Sequence, residues 1–354
     1  MSDPLTQRIG IELPIIQAPM AGVQGSALAL AVSNARGLGS LPCAMLGIDA
    51  IRSELTALAA GAQGRPYNVN FFCHTPPPHD AAREAVWREA LAPYAREFGI
   101  DLSSVPAGAG RVPFNDESAA VLEAFRPRVV SFHFGLPAPA LLARVKAWGA
   151  LVWSSATTVD EARWLEAHGV DAVIAQGLEA GGHRGHFLSH DLTLQQGSFA
   201  LLPQVVRAVR CPVIAAGGIA DSDGVRAALA LGAAAAQVGT AYLLCPEATT
   251  GTMHRAALAD AERARHTALT NLFTGRPARG IVNRLMRELG PLSSAVPAFP
   301  LATAALAPLR AAAEQLGSGE FSPLWAGQNA SGCRAVPAAQ LTRELAGLRD
   351  TRSP

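Results

Sequence analysis

Ala150-Leu-Val-Trp-Ser-Ser-Ala156-Thr-Thr158-Val-Asp-Glu161 opens a unit whose reading decides the fold. Ala150–Ala156 is a short apolar run of the kind that forms a fully buried strand. Thr158-Val-Asp-Glu161 then has the spacing of a capping box, which predicts a helix to His168 with Gly169 as its stop. A second apolar run, Ala172–Gly177, follows at once. Strand, helix and returning strand fit into roughly 25 residues, close to the minimum for a right-handed βαβ crossover.

The same alternation recurs outward in both directions. Asp221-Ser222 caps a helix that Gly232 ends, between the runs Pro212–Ile219 and Ala235–Leu243. Upstream, Pro14–Met20, Leu38–Met45, Tyr67–Phe72 and Val129–Gly135 complete a set of eight candidate strands, the number that closes a (β/α)₈ TIM barrel. Two stretches break the rhythm. One, residues 74–127, opens with Pro76-Pro77-Pro78 and carries a helical segment over Asp80–Phe98. The other, residues 246–320, is helical, rich in Arg and interrupted by Pro. The expected organisation is therefore a barrel formed by 1–73, 128–245 and 321–354. A mainly helical cap from 246–320, joined by the 74–127 insertion, covers its mouth.

The totals narrow the function. With 354 residues, 49% of them apolar, the chain can bury a barrel-sized core. Its 29 basic and 28 acidic residues nearly cancel. They leave no electrostatic footprint for nucleic acid or an anionic membrane, so a small-molecule partner is expected. The longest apolar runs stop short of the roughly 20 residues that span a bilayer, and the N-terminus has no export signal, so the expectation is a cytoplasmic protein with no membrane partner. Monomer and homodimer both stay open. The five cysteines lack metal-like spacing and read as reduced and structural, with Cys73 the exception to watch because it ends a strand facing the barrel mouth.

In a barrel, chemistry collects at the C-terminal ends of the strands. There the sequence places Ala21 and Gly22, then Asn70, His133, Gln176, Gly181, Gly182 and His183. Gly217 and Gly218 follow, and then Gln237, Val238, Gly239 and Thr240. Glycine amides can approach a phosphate closely, and this fold recurrently binds one after its last two strands. Asn70 and Gln176 are amides within apolar strands and need partners, which a heterocyclic ligand or the backbone would supply. His183 follows two glycines in what reads as a loop. A neutral histidine there can take a proton or hold an anion. His133 points into the same mouth, whereas His186 and His190 read as solvent-facing or loop-bracing. No metal site is expected, because the histidines lack carboxylates at ligand spacing.

Taken together, six motifs resemble one family. They are Gln17-Ala-Pro-Met20-Ala-Gly22, Asn68-Val-Asn70-Phe-Phe, Ser131-Phe-His133-Phe-Gly135, Ala175-Gln176-Gly177-Leu-Glu-Ala-Gly181-Gly182-His183, Ala216-Gly217-Gly218-Ile219 and Gln237-Val-Gly239-Thr240. In this order they are similar to the class I nitronate monooxygenases, long called 2-nitropropane dioxygenases. The similarity continues into Phe273-Thr-Gly275-Arg276-Pro-Ala-Arg279-Gly280 and Leu324-Trp325-Ala-Gly327-Gln328.

The resemblance implies a non-covalent FMN that takes one electron from an alkyl nitronate, with O₂ then giving a carbonyl compound and nitrite. It assigns cofactor contacts to Asn70, Gln176, Gly181, Gly218 and Gln237–Thr240. It makes His183 catalytic, sets His133 beside the substrate, and implies propionate 3-nitronate as the physiological target. The chain departs from the family in its tyrosines. It has only Tyr67, Tyr94 and Tyr242, and Phe299 stands in Pro297-Ala-Phe-Pro300 where a tyrosine is expected. The alternative is a flavin-dependent enoyl reductase of fatty-acid or polyketide synthesis, which shares the barrel, the FMN and a Gly-Gly-His loop but consumes NAD(P)H. A barrel that binds a phosphorylated ligand without turnover is a third possibility.

Overall fold

A computed structural model describes residues 4–106, 108 and 110–348. Eight parallel strands form the barrel: β1 (Ile15–Gln17), β2 (Gly39–Pro42), β3 (Tyr67–Phe72), β4 (Val129–His133), β5 (Leu151–Ala156), β6 (Ala172–Gln176), β7 (Val213–Ala216) and β8 (Ala235–Val238). They pair in chain order, and β8 pairs back onto β1. A parallel bridge between Ile16 and Leu38 joins β1 to the start of β2 and completes the ring. The register sets Gln176 beside Ala216 and Ala216 beside Gln237, so two of the expected site amides share one level of the barrel.

The crossover helices form where the caps predict them. Thr158 accepts a hydrogen bond from the Glu161 amide, and the helix Val159–Ala167 ends before Gly169 at φ +86°. Asp221 caps Ser222–Ala230 by accepting from the Gly224 amide at 2.8 Å. The capping box is not closed in the usual way, however. Glu161 is fully buried and accepts from the amide and hydroxyl of Thr157, one residue before the cap. Its other oxygen accepts from the Phe187 and Leu188 amides. The carboxylate thus ties the helix start to the segment that follows His183.

Several strands are shorter than their apolar runs suggest. The run expected to be one strand over Ala235–Leu243 leaves the extended conformation at Gly239 and turns into a 3₁₀ helix, Thr240–Leu244. That helix buries Ala241, Tyr242 and Leu243, so its composition matches that of a buried strand. β7 likewise ends at Ala216, because Gly217 and Gly218 adopt φ +112° and +76°.

The N-terminal end of the barrel is plugged. Leu5, Ile9 and Ile11 pack against Leu38, Val129, Leu151 and Ile214 at the strand starts. At the other end the helices Ala81–Glu97 and Thr303–Gln315 share one apolar cluster, with Trp87 and Leu91 beside Leu306 and Phe321. The Trp87 indole donates to the Ala302 carbonyl at 3.2 Å across this contact. A small antiparallel sheet links cap to barrel: Ala278–Ile281 pairs with Thr267–Thr270 on one side and with Gly182–His183 on the other. No helix among the described residues is long and apolar enough to cross a membrane.

Candidate active site

The strands deliver their C-terminal ends to one cavity, whose wall His254 and Trp325 also join. Ala21, Asn70, His133, Gln176, Gly181 and Gly182 line it. So do His183, Gly217, Gly218, Gln237, Gly239 and Thr240. Of the residues singled out in the sequence, only Gly22 and Val238 stand outside its wall; Val238 is buried in the core between β8 and the C-terminal helix Ala338–Leu345.

His183 is not in a free loop, as its glycines suggest, but in a two-residue strand held opposite Ala278. Gly182 reaches this strand at φ +70°, a conformation that costs glycine little. The His183 Nε2 lies 2.9 Å from the Thr274 hydroxyl, while Nδ1 has no partner among the described residues. Phe72, Phe134, Phe299 and Trp325 surround the ring at centroid distances of 5.3–6.1 Å. Burial in this aromatic box, reinforced by the positive Arg111 nearby, holds the imidazole well below its ordinary pKa. It is neutral at pH 7.

His133 is locked by two bonds. Its Nε2 lies 3.2 Å from the His183 carbonyl, which can only accept, so Nε2 carries the proton. Nδ1 then accepts from the Ser155 hydroxyl at 2.9 Å. Burial, with Arg276 beside it, pulls this histidine down to about 3. His133 therefore positions the His183 backbone as well as facing the cavity.

The buried amides differ in their needs. Gln176 is satisfied by the chain itself: it donates to the His183 carbonyl at 2.9 Å and accepts from the Gly185 amide at 2.8 Å. Its burial alone does not call for a ligand. Asn70 donates to the Ser131 hydroxyl at 2.9 Å, and its Oδ1 has no partner among the described residues. Gln237 has a buried Oε1 with no partner among the described residues, which is the kind of orphan that a ligand N–H relieves.

Above β6–β8 the wall is built by backbone. A Cβ on Gly181 would lie 2.6 Å from the backbone of Ala326 and Gly327, so only glycine lets the C-terminal segment lie down there. The Gly327 amide donates to the Thr240 hydroxyl and the Gln328 amide to the Glu179 carbonyl, both at 2.9 Å.

Other positions depart from expectation. His190 is exposed, but His186 is fully buried and neither ring nitrogen has a partner. Cys73 does not line the cavity, and burial raises its thiol well above the ordinary range, so it is no reactive thiolate. Thr274, Arg111 and His254 belong to the site or support it without having been singled out, while Ser155 stands at the end of β5 and Trp325 in the closing motif.

This constellation can be set beside known proteins. A family model described as nitronate monooxygenase matches residues 2–347. The chain belongs to the nitronate monooxygenase family. It is 43% identical to a nitronate monooxygenase of Pseudomonas aeruginosa over 98% of both chains. Among solved structures it resembles the nitroalkane oxidase of Streptomyces ansochromogenes, 42% identical over 97% of each chain with a TM-score of 0.86. FabK of Thermotoga maritima is more distant, 26% identical over 98% of this chain and 95% of its own, with a TM-score of 0.69. This member of the nitronate monooxygenase family is thus an oxidoreductase on a TIM-barrel fold, and the family match disfavours the enoyl-reductase alternative.

Proposed function

We propose that this enzyme is FMN-dependent and oxidises alkyl nitronates, with O₂, to a carbonyl compound and nitrite. The observation that carries the reading is the chemistry of the cavity wall. It holds neutral His183 with an unpartnered Nδ1, it includes Arg111, and no Asp or Glu lines it. Such a wall favours a small organic anion.

The residues present fit the flavin. The orphaned Gln237 Oε1 and the free Asn70 Oδ1 would accept from the donors FMN offers, a ring N–H and the ribityl hydroxyls, with Gln176 at the level of Gln237. Gly181, Gly217, Gly218, Gly239 and Thr240 would cradle the phosphate, and Ala21 would close the β1 side. Bound flavin would supply the redox capacity that no side chain of this chain possesses.

The protein's own part lies in His183 and its hydroxyl partner. Thr274 can donate to Nε2, which leaves an Nδ1–H to hold the anionic nitronate. It can also accept from Nε2–H, which leaves an Nδ1 lone pair able to take the α-proton of a neutral nitroalkane. The likeness to a protein named a nitroalkane oxidase favours the second ability alongside the first. Phe72, Phe299 and Trp325 exclude water around that exchange. Thr274→Val removes the ring's only hydrogen bond among the described residues, and turnover is expected to fall about fivefold, in line with the roughly 1 kcal/mol worth of one such bond. Steady-state nitrite release measures it.

The deciding experiment follows oxygen uptake and nitrite release with nitronates, alongside anaerobic mixing with NADPH. A yellow protein that consumes oxygen with a nitronate and stays oxidised with NADPH is the expected result. Rapid bleaching by NADPH without oxygen uptake would assign the enoyl-reductase chemistry instead. A colourless protein that cannot be reconstituted with FMN would remove the redox reading.

A further inference from the structure

Arg111 comes from the 74–127 segment, outside every motif quoted above, yet its side chain reaches the wall of the cavity that holds His183. The backbone is anchored there: its carbonyl lies 3.0 Å from His74 Nε2, and the His74 ring stands edge-on to Phe299 at 4.9 Å. The guanidinium lies 5.5 Å from the centre of the Phe299 ring. Among the described residues it makes no ion pair and no side-chain hydrogen bond, and no carboxylate lines the cavity.

This is an unusual state for the side chain. Other arginines of the chain spend their guanidinium donors on acceptors, as Arg184 does on the Gln176 and Gly177 carbonyls and Arg255 on the carbonyls of Leu244, Cys245 and Ala248, and Arg284 pairs with Glu97 and Glu288. A partly desolvated guanidinium without an anion forfeits hydration for no more than the attraction of the Phe299 ring, so it is poised for a ligand that supplies one. Burial accordingly depresses its basicity, and no acidic neighbour offsets the effect.

Arg111 also stands at a neck. An outer hollow lined by Leu46, Gly47, Val112, Pro300 and Thr303 meets the inner cavity at two shared residues, Met45 and Arg111. A ligand whose reacting end reaches His183 from this side leaves its other end beside the guanidinium.

We propose that Arg111 is the receptor for a second anionic group on the substrate, a carboxylate borne on the chain a few bonds from the nitronate carbon, and so sets the enzyme's preference for carboxylated over uncharged alkyl nitronates. The fork of donors suits a carboxylate in two-point contact, and Phe299, which cannot ionise or donate, leaves this task to Arg111. The inference rests on the nitronate reading above.

The test compares Arg111→Gln and Arg111→Lys with the parent on a pair of nitronates of equal length, one ending in a carboxylate and one in a methyl group. The expected result is a fall of at least tenfold in the ratio of kcat/KM, carboxylated over uncharged, for Arg111→Gln, carried mainly by KM. Arg111→Lys should restore most of that ratio. Equal losses on both substrates, or an unchanged ratio, would overturn the proposal. Calorimetric titration with butyrate gives a readout that needs no turnover, and binding is expected to weaken in Arg111→Gln and persist in Arg111→Lys. Butyrate binding indifferent to both substitutions also counts against the proposal. A parent protein inactive with every nitronate would sink the nitronate reading, while the butyrate titration would still judge Arg111.

Discussion

A His183→Asn enzyme is expected to stay yellow and folded while its turnover falls by about two orders of magnitude, the scale on which a positioned acid–base group contributes. The expectation follows from the way the ring is held. Backbone pairing to Ala278 fixes the residue's place, and asparagine can keep that pairing. The bonds from Gln176 and His133 go to the carbonyl of residue 183 and not to its ring, so the cavity wall survives the change. What goes is the ring, with its Nδ1 facing the cavity and its Nε2 on Thr274. Nitrite release should be measured with a preformed nitronate and with the matching neutral nitroalkane. A loss on both shows that the ring holds the anion; a much larger loss on the nitroalkane shows that it also takes the α-proton. Equal rates in variant and parent on both substrates would make the residue structural. Because burial and Arg111 keep His183 well below 6.5, it contributes no acid limb to the rate between pH 7 and 8.

Much of this site can be read from the chain, for a physical reason. Barrel strands are short, buried and closed by glycine, so the residues at their ends are marked by position: Asn70, His133, Gln176 and Gln237 all reach the cavity. What escapes such a reading depends on contacts distant in sequence. The partner of His183 in the small sheet is Ala278, and two residues of extended chain leave no periodicity to detect. Thr274 comes from the 246–320 stretch, where it sits between a phenylalanine and a glycine like any turn residue, and Trp325 comes from the C-terminal segment. The closing Leu324–Gln328 motif was the one available sign that the C-terminal segment lies on the site. Arg111 had no sign at all, since nothing in its local sequence sets it apart among 29 basic residues, and its place in the cavity wall is visible only in three dimensions. The Ala235–Leu243 run misled for the opposite reason: a buried 3₁₀ turn and a buried strand draw on the same apolar residues.

Acid should unfold this protein well above the range in which carboxylates titrate, with histidine as the cause. His74, His133, His183, His186 and His254 are all held below their ordinary pKa of 6.5, in each case chiefly by burial. His133 and His186 come down to about 3 and His254 to about 4. Below pH 6.5 the unfolded chain therefore binds protons that the folded chain refuses. Stability from these groups is present in full above about pH 7 and is lost as pH falls from 6.5 toward 4. At pH 5 a buried histidine of this kind costs about 2 kcal/mol. His186 and His254 alone then remove about 4 kcal/mol, a large part of the roughly 5–15 kcal/mol that holds a domain together, and the other three act in the same direction. Urea midpoints measured between pH 8 and 5 should fall steeply below 6.5. His186 allows the cause to be isolated, because it is outside the cavity lining and its ring makes no hydrogen bond to lose. Its carbonyl, which accepts from Arg276, is backbone and survives substitution. His186→Leu should match or exceed the parent at pH 7.5 and gain on it progressively below pH 6.5, by about 2 kcal/mol at pH 5. Parallel curves for variant and parent would mean that His186 takes its proton in the folded state and that the acid sensitivity arises elsewhere.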